Sequence, residues 1–205
     1  MNGEIDLQVR PIKQSFRLLM NGEASRYMRE NGVAYHLNWG VALTDLRKMA
    51  DEYGKSYHLA LALWKENIRE CKILATMLMP PQKMPAELAD LWMEQAGTQE
   101  IAELLALNVF QHLDYAPVLA FEWISSSEQL HQIAGYHVLS RCMMRGDAPD
   151  DRGINELIDQ ALSAMADEPM PVRHAAYNCL MRLAQLGETY ERVVGQALHS
   201  SGLDL

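Results

Sequence analysis

The stretch that decides the fold is DEPMPVRHAAYNCLMRLA, at residues 167–184. Its apolar residues return every three or four positions, as they do along one buried face of an α-helix. Pro169 and Pro171 stand where the first turn of a helix tolerates proline, and Val172 opens the apolar pattern, with Ala175 three residues later. The stretch therefore predicts a helix that buries one face against a neighbouring element.

The same helical period continues through nearly the whole chain. No convincing stretch alternates with a period of two, and turn residues such as Gly97 and Gly187 separate segments of about 10 to 18 residues. At one such boundary the hydroxyl of Thr98 can cap the next helix, and Glu100 suits the positive end of the helix dipole. These features predict an all-α protein.

Internal repetition indicates the architecture. The helices expected to begin near Ile68, Ile101, Leu130 and Val172 each have an apolar or small residue three positions later, and their starts are 33, 29 and 42 residues apart. Such spacings suit two-helix repeats, which bury their apolar faces by stacking on their neighbours. Residues 167–184 resemble the second helix of a HEAT repeat. We therefore expect an α-solenoid, a superhelix of HEAT/ARM-like repeats whose second helices line one concave surface.

Length and composition agree with a folded repeat protein. The chain has 205 residues, of which 49% are hydrophobic and 22% charged, and this balance excludes disordered and collagen-like classes. We expect a single helical-repeat domain over residues 1–205. N-terminal capping helices would occupy residues 1–55, about four helix pairs residues 56–199, and a tail residues 200–205.

The sequence also indicates a compartment. Cys71, Cys142 and Cys179 are far apart in apolar helical segments, which suits buried thiols in a reducing compartment. No apolar run approaches the ~20 residues of a membrane span, and the N-terminus lacks the pattern of a signal peptide. The histidines are too dispersed to form a metal site. We expect a cytoplasmic protein with no cofactor, no metal and no membrane partner.

Charge is distributed unevenly along the chain. The net charge is −9, and residues 73–140 contain one basic residue, Lys83, against eight acidic ones. A surface without cations forfeits most of the affinity that phosphate contacts supply to DNA binding. Basic residues cluster instead near the N-terminus, and if they share one face they would be a site of contact with nucleic acid. They are Arg10, Lys13, Arg17, Arg26 and Arg29.

Several short motifs are individually unspecific, but their order and spacing along the chain are hard to obtain by chance. They are RYMR at 26–29, the stretch at 40–48, LALWKENIRECKILA at 61–75, LW at 91–92 and EWIS at 122–125. Together they resemble the DNA alkylation repair family, the AlkD-like bacterial alkylpurine DNA glycosylases built from HEAT-like repeats. The similarity covers roughly residues 23–185. The resemblance implies excision of N3- or N7-alkylated purines, with a carboxylate that stabilises an oxocarbenium-like transition state.

The resemblance also points to particular positions. It places the catalytic aspartate of the family at Glu103 and the family's tryptophan at Gln99, beside the capping residue Glu100. It places an arginine of the next repeat in the stretch 130–133, which contains Gln132 and no cation. Glu103 is therefore the candidate catalytic residue, and Gln99, Glu100 and Gln132 are candidate binding residues.

Trp39 is a further candidate binding residue because it lies in a loop rich in aromatic residues, YHLNWGV at 35–41. If exposed it would anchor a partner, whereas if buried it would fasten the loop to the next helix. Trp64, Trp92 and Trp123 are expected to pack between repeats. A methionine-rich turn at residues 77–84 would be an alternative protein-binding surface if it were exposed.

Three functional hypotheses follow. The first is a binding or scaffold member of the alkylation repair superfamily whose glycosylase site has degenerated. The second is an active alkylpurine DNA glycosylase that uses Glu103 for electrostatic stabilisation. The third is recognition of a protein along the concave face. The partner would be a protein or weakly bound nucleic acid, with duplex DNA disfavoured by the acidic segment 73–140.

Overall fold

A computed structural model describes residues 2–33 and 35–202, the side chains of residues 2–6 excepted. Within these ranges the chain forms α-helices and two short 3-10 helices, at Pro81–Lys83 and Phe110–His112, and no β-strand. The all-α prediction is confirmed. The helices are α1 (Asn2–Leu18), α2 (Gly22–Glu30), α3 (Leu43–Tyr53), α4 (Tyr57–Lys65), α5 (Arg69–Leu78), α6 (Ala86–Glu94), α7 (Gln99–Asn108), α8 (Ala116–Ile124), α9 (Gln129–Met144), α10 (Asp151–Asp167), α11 (Met170–Ala184) and α12 (Glu188–Ser200).

The chain divides into two compact units, residues 1–88 and residues 89–205. In the first unit α4 and α5 pack together across a short turn, α3 contacts α5, and α1 contacts α4. Ile12 and Phe16 of α1 and Leu63 of α4 are fully buried in this core. A loop at residues 35–41 joins α2 to α3 and makes a single parallel bridge between Leu37 and Ile68.

The second unit has two layers of helices. Helices α7, α9 and α11 contact one another in succession, while α8 packs on α9, and α10 and α12 pack on α11. The α8–α9 contact is close because Gly135 has no side chain: a Cβ there would lie 2.8 Å from the carbonyl oxygen of Ala120. The layer formed by α7, α9 and α11 carries the candidate site.

The elements that the sequence predicted agree with this arrangement. Helix α11 starts at Met170 with a proline in its first turn. Helix α7 begins after Thr98, whose hydroxyl accepts a hydrogen bond from the backbone N–H of Ile101 at 3.4 Å. Trp64, Trp92 and Trp123 are buried, as expected for residues that pack within the core.

The three cysteines are free and buried. Burial raises the pKa of the Cys71 and Cys179 thiols to about 12, so both stay protonated near neutral pH. No helix among the described residues is long and apolar enough to cross a membrane. The division into capping helices at 1–55 and four helix pairs at 56–199 stays a prediction.

Candidate functional site

The candidate carboxylate lies on the accessible side of α7. Ile101, Ala102 and Leu105 are fully buried and fix the inner face of this helix. Gln99 and Glu103 are one turn apart on the opposite side, and the amide Nε2 of Gln99 donates a hydrogen bond to Oε1 of Glu103 at 2.7 Å. The structure therefore brings two of the sequence-predicted site residues together. Glu100 lies in the first turn of the same helix and is partly exposed.

His137 of α9 completes this cluster. Its Nε2 is 3.7 Å from Oε1 of Glu103, and the side chains of both residues are about one-third exposed, at 32% and 40%. This distance is longer than a normal N–H···O hydrogen bond, so the contact is an ion pair when the imidazole is protonated. We call Gln99, Glu103 and His137 the α7–α9 cluster.

The α7–α9 cluster favours the ionised form of Glu103. The contact with His137 is the main cause that lowers the pKa of Glu103, and the hydrogen bond from Gln99 adds to it. Partial burial acts in the opposite direction but does not prevail. Glu103 is therefore an anion at neutral pH.

Sequence reasoning did not assign His137 to the site and pointed instead to residues 130–133, where the resemblance implies an arginine that this chain lacks. Gln132, in that stretch, is buried, and its Nε2 donates to the carbonyl oxygen of Ser126 at 2.9 Å and to Oε1 of Glu168, which follows α10, at 3.1 Å. It does not join the α7–α9 cluster. The helical period could have indicated His137, because Arg141 and Met144 follow it at four and seven residues and share its accessible side of α9.

A groove between α9 and α11 adjoins His137. It has a volume of about 490 Å³ and is lined by His137, Ser140, Arg141, Met144, Asn178, Met181, Arg182 and Gln185. Nη1 of Arg182 donates a hydrogen bond to Oε1 of Gln185 at 2.7 Å. Among the residues whose side chains are described, no carboxylate forms an ion pair with Arg141 or Arg182. This α9–α11 groove therefore offers two uncompensated cations and neutral hydrogen-bonding groups to an anion.

Trp39 belongs to the other compact unit. Its backbone N–H donates to the carboxylate of Glu70, at 3.1 Å from Oε1 and 3.2 Å from Oε2, and Val41 N–H donates to Oε1 at 3.2 Å. Glu70 is fully buried and pairs with the buried Arg69, whose Nη1 is 3.2 Å away. The indole of Trp39 is half-buried, and the guanidinium of Arg17 lies over it, 5.5 Å from the ring centroid.

The other surfaces expected from the sequence are less open. Met79 and Met84 of the methionine-rich turn are buried, so these two side chains present no surface to a partner.

No group of three or more histidine, cysteine, aspartate or glutamate side chains in the described part of the chain could hold a metal ion.

These features can be set beside known proteins. The model of a family described as "DNA alkylation repair enzyme" matches residues 12–202. The chain belongs to this family. No curated protein matches its sequence significantly.

One solved structure is closely similar in fold. It superimposes with a TM-score of 0.81 over 94% of this chain and 82% of the other, at 18% sequence identity. It represents "a new family of proteins related to the HEAT-like repeat DNA glycosylases with affinity for branched DNA structures". The prediction of a HEAT-like α-solenoid fold is confirmed.

Proposed function

We propose that this protein is a DNA-binding member of its family, located in the cytosol, in which Glu103 no longer catalyses base excision. The α7–α9 cluster carries the proposal. Glu103, the position that the resemblance assigns to the family's catalytic carboxylate, accepts from an amide at 2.7 Å and faces an imidazole at 3.7 Å. A protein partner stays a prediction from the sequence.

The chemistry explains why this engagement matters. A carboxylate that stabilises positive charge developing on a sugar must direct an uncompensated oxygen at that sugar. In this chain one of the two carboxylate oxygens is already engaged, because Oε1 of Glu103 accepts a hydrogen bond from Gln99 and lies nearest to His137. A protonated imidazole would neutralise the field of the carboxylate. Glu103 is also one methylene longer than the aspartate of the family, and displacement of a catalytic group by about 1 Å can cost on the order of a hundredfold in rate.

The α9–α11 groove supports DNA as the ligand. Arg141 and Arg182 lie on neighbouring helices, and Asn178 and Gln185 add hydrogen-bonding groups to the same groove. Arginine binds phosphate through a planar fork of donors, and each neutralised phosphate releases counterions. The relative with affinity for branched DNA structures shares the fold, so we choose branched DNA as the ligand to test.

A second candidate function is active base excision, and one observation favours it. The lowered pKa keeps Glu103 ionised, and about 40% of its side chain is exposed, so an anion is available on the accessible side of α7. An active glycosylase would have to displace Gln99 and His137 when the substrate binds.

Two measurements test the proposal. The first is single-turnover release of N3-methyladenine and N7-methylguanine from alkylated duplex DNA by the wild-type protein and by Glu103→Gln. We expect no release above the rate without protein. Release by the wild type that is lost in Glu103→Gln would overturn the proposal and establish the second candidate.

The second measurement is binding of a four-way DNA junction and of a linear duplex of equal length at several salt concentrations. We expect tighter binding to the junction, with affinity that falls as salt rises. Absence of binding to either DNA at low salt would contradict the binding part of the proposal, whatever the excision assay shows.

A further inference from the structure

The loop that carries Trp39 is fixed in place by several hydrogen bonds. Glu70 accepts from the N–H of Trp39, and the carbonyl oxygen of Trp39 accepts from the N–H of Asn21 at 2.9 Å. The hydroxyl of Ser25 donates to the carbonyl oxygen of Asn38 at 2.9 Å. Both backbone groups of Trp39 are therefore hydrogen-bonded, to a side chain of α5 and to the residue that caps α2, so the backbone that carries the indole is fixed.

The surface above the indole is cationic. Arg10, Lys13 and Arg17 are three and four residues apart on α1, so they share one side of this helix. Lys13 is compensated by Glu66, whose Oε2 is 3.0 Å from its Nζ. Arg17 is exposed and forms no ion pair with any carboxylate of the described side chains, and its guanidinium lies over the Trp39 ring. Arg17 thus places a positive charge, unpaired with any described carboxylate, on the face of the Trp39 ring.

We propose that Arg17 and Trp39 form a binding site for an unpaired nucleotide of single-stranded DNA. An unstacked base would stack on the layered guanidinium and indole, and a flanking phosphate would contact the cations of α1. Arginine planes and aromatic rings are the surfaces on which proteins stack single-stranded bases, and this stacking tolerates any base sequence. The inference rests on the proposed function because it takes DNA as the ligand, and it adds a preference for unpaired nucleotides.

The chain supplies a direct readout of this site. Trp64, Trp92 and Trp123 are all buried to at least 95%, whereas Trp39 is only partly buried. Quenching of tryptophan fluorescence by a short oligo(dT) therefore reports mainly on Trp39. The quenching should saturate with the same affinity that anisotropy of a labelled oligo(dT) gives, and it should be lost in Trp39→Phe.

Variants of Arg17 separate stacking from charge. Arg17→Lys keeps the charge but removes the planar group, and Arg17→Ala removes both. Loss of base stacking weakens single-strand binding by about 5- to 150-fold, so we expect a loss in that range for Arg17→Ala and an intermediate loss for Arg17→Lys. The control is Arg26→Ala, because Arg26 is an exposed arginine of α2 that pairs with Glu30 at 3.7 Å and should leave oligo(dT) affinity unchanged.

A fully paired four-way junction distinguishes this inference from the proposed function. Junction binding by the wild type with equal oligo(dT) affinity for wild type and Arg17→Ala would overturn the inference and leave the proposed function intact. Failure of the wild type to bind either DNA would overturn both. Displacement of oligo(dT) by polyglutamate of equal charge at equal concentration would overturn the stacking, because the site would then recognise charge alone.

Discussion

The amide of Gln99 and the carboxylate of Glu103 form a 2.7 Å hydrogen bond along the accessible side of α7. The family resemblance implies a tryptophan at the first of these positions and the catalytic aspartate at the second. The bond joins the candidate catalytic residue and a candidate binding residue within one helix. Together with His137, it also lowers the pKa of Glu103.

Removal of His137 should raise the pKa of Glu103. The contact with His137 is the main cause of the lowered pKa, so His137→Ala should move the value towards the ordinary 4.5, and Gln99→Ala should move it by less. Titration of the Glu103 side-chain carboxyl by NMR measures the shift directly. A larger shift in Gln99→Ala than in His137→Ala would contradict this ordering.

The same pKa has a consequence for stability. Because the pKa is lower in the folded protein, ionised Glu103 stabilises the fold above its unfolded pKa, and this contribution is lost as pH falls through the folded pKa. Urea unfolding at pH 7 and below pH 4 should therefore show a smaller acid-induced loss for His137→Ala than for the wild type. The difference should be small because Glu103 is partly solvated.

Glu70→Gln should strongly destabilise the first compact unit. The carboxylate is fully buried, accepts from Trp39 and Val41 N–H groups, and compensates the buried Arg69. Breaking a buried ion pair costs about 3 to 5 kcal/mol, since it leaves one charge uncompensated. Urea unfolding followed by tryptophan fluorescence measures the loss. Glu52→Gln, at an exposed position of α3, is the control and should unfold like the wild type.

Much of the fold could be predicted from the sequence because helical periodicity is a local signal. The pattern at residues 167–184 places α11. Thr98 marks the start of α7, because its hydroxyl caps the backbone N–H of Ile101 three residues later. The spacing of four residues also places Gln99 and Glu103 on one side of α7. Contacts between side chains of different helices leave no comparable periodic pattern in the sequence. Glu103 meets His137 and Glu70 meets Trp39 across 34 and 31 positions respectively, and only the packing of the helices determines those contacts.

Gly40→Ala should disrupt the loop that carries Trp39. Gly40 has a φ of +69°, and a Cβ there would lie 2.1 Å from the carbonyl oxygen of Asn21, which forces the backbone to move. Gly32→Ala is the matched control because Gly32 has a φ of +77° with no atom within 4 Å of its Cβ position. Gly32→Ala should cost about 1 to 2 kcal/mol of the free energy of unfolding, from backbone conformation alone. Urea unfolding should show a clearly larger loss of the free energy of unfolding for Gly40→Ala. Equal losses in the two variants would mean that the close approach of Gly40 to the carbonyl oxygen of Asn21 does not matter.

The salt dependence of DNA binding should locate the phosphate contacts. If Arg141 and Arg182 each neutralise one phosphate, the double variant Arg141→Ala/Arg182→Ala should reduce the slope of log affinity against log salt by about 1.8. The matched control is Arg152→Ala/Arg192→Ala, which removes the same charge from exposed positions on α10 and α12. Anisotropy of a labelled four-way junction at several salt concentrations gives both slopes. Equal reductions in the two double variants would mean that net charge, rather than the α9–α11 groove, governs binding.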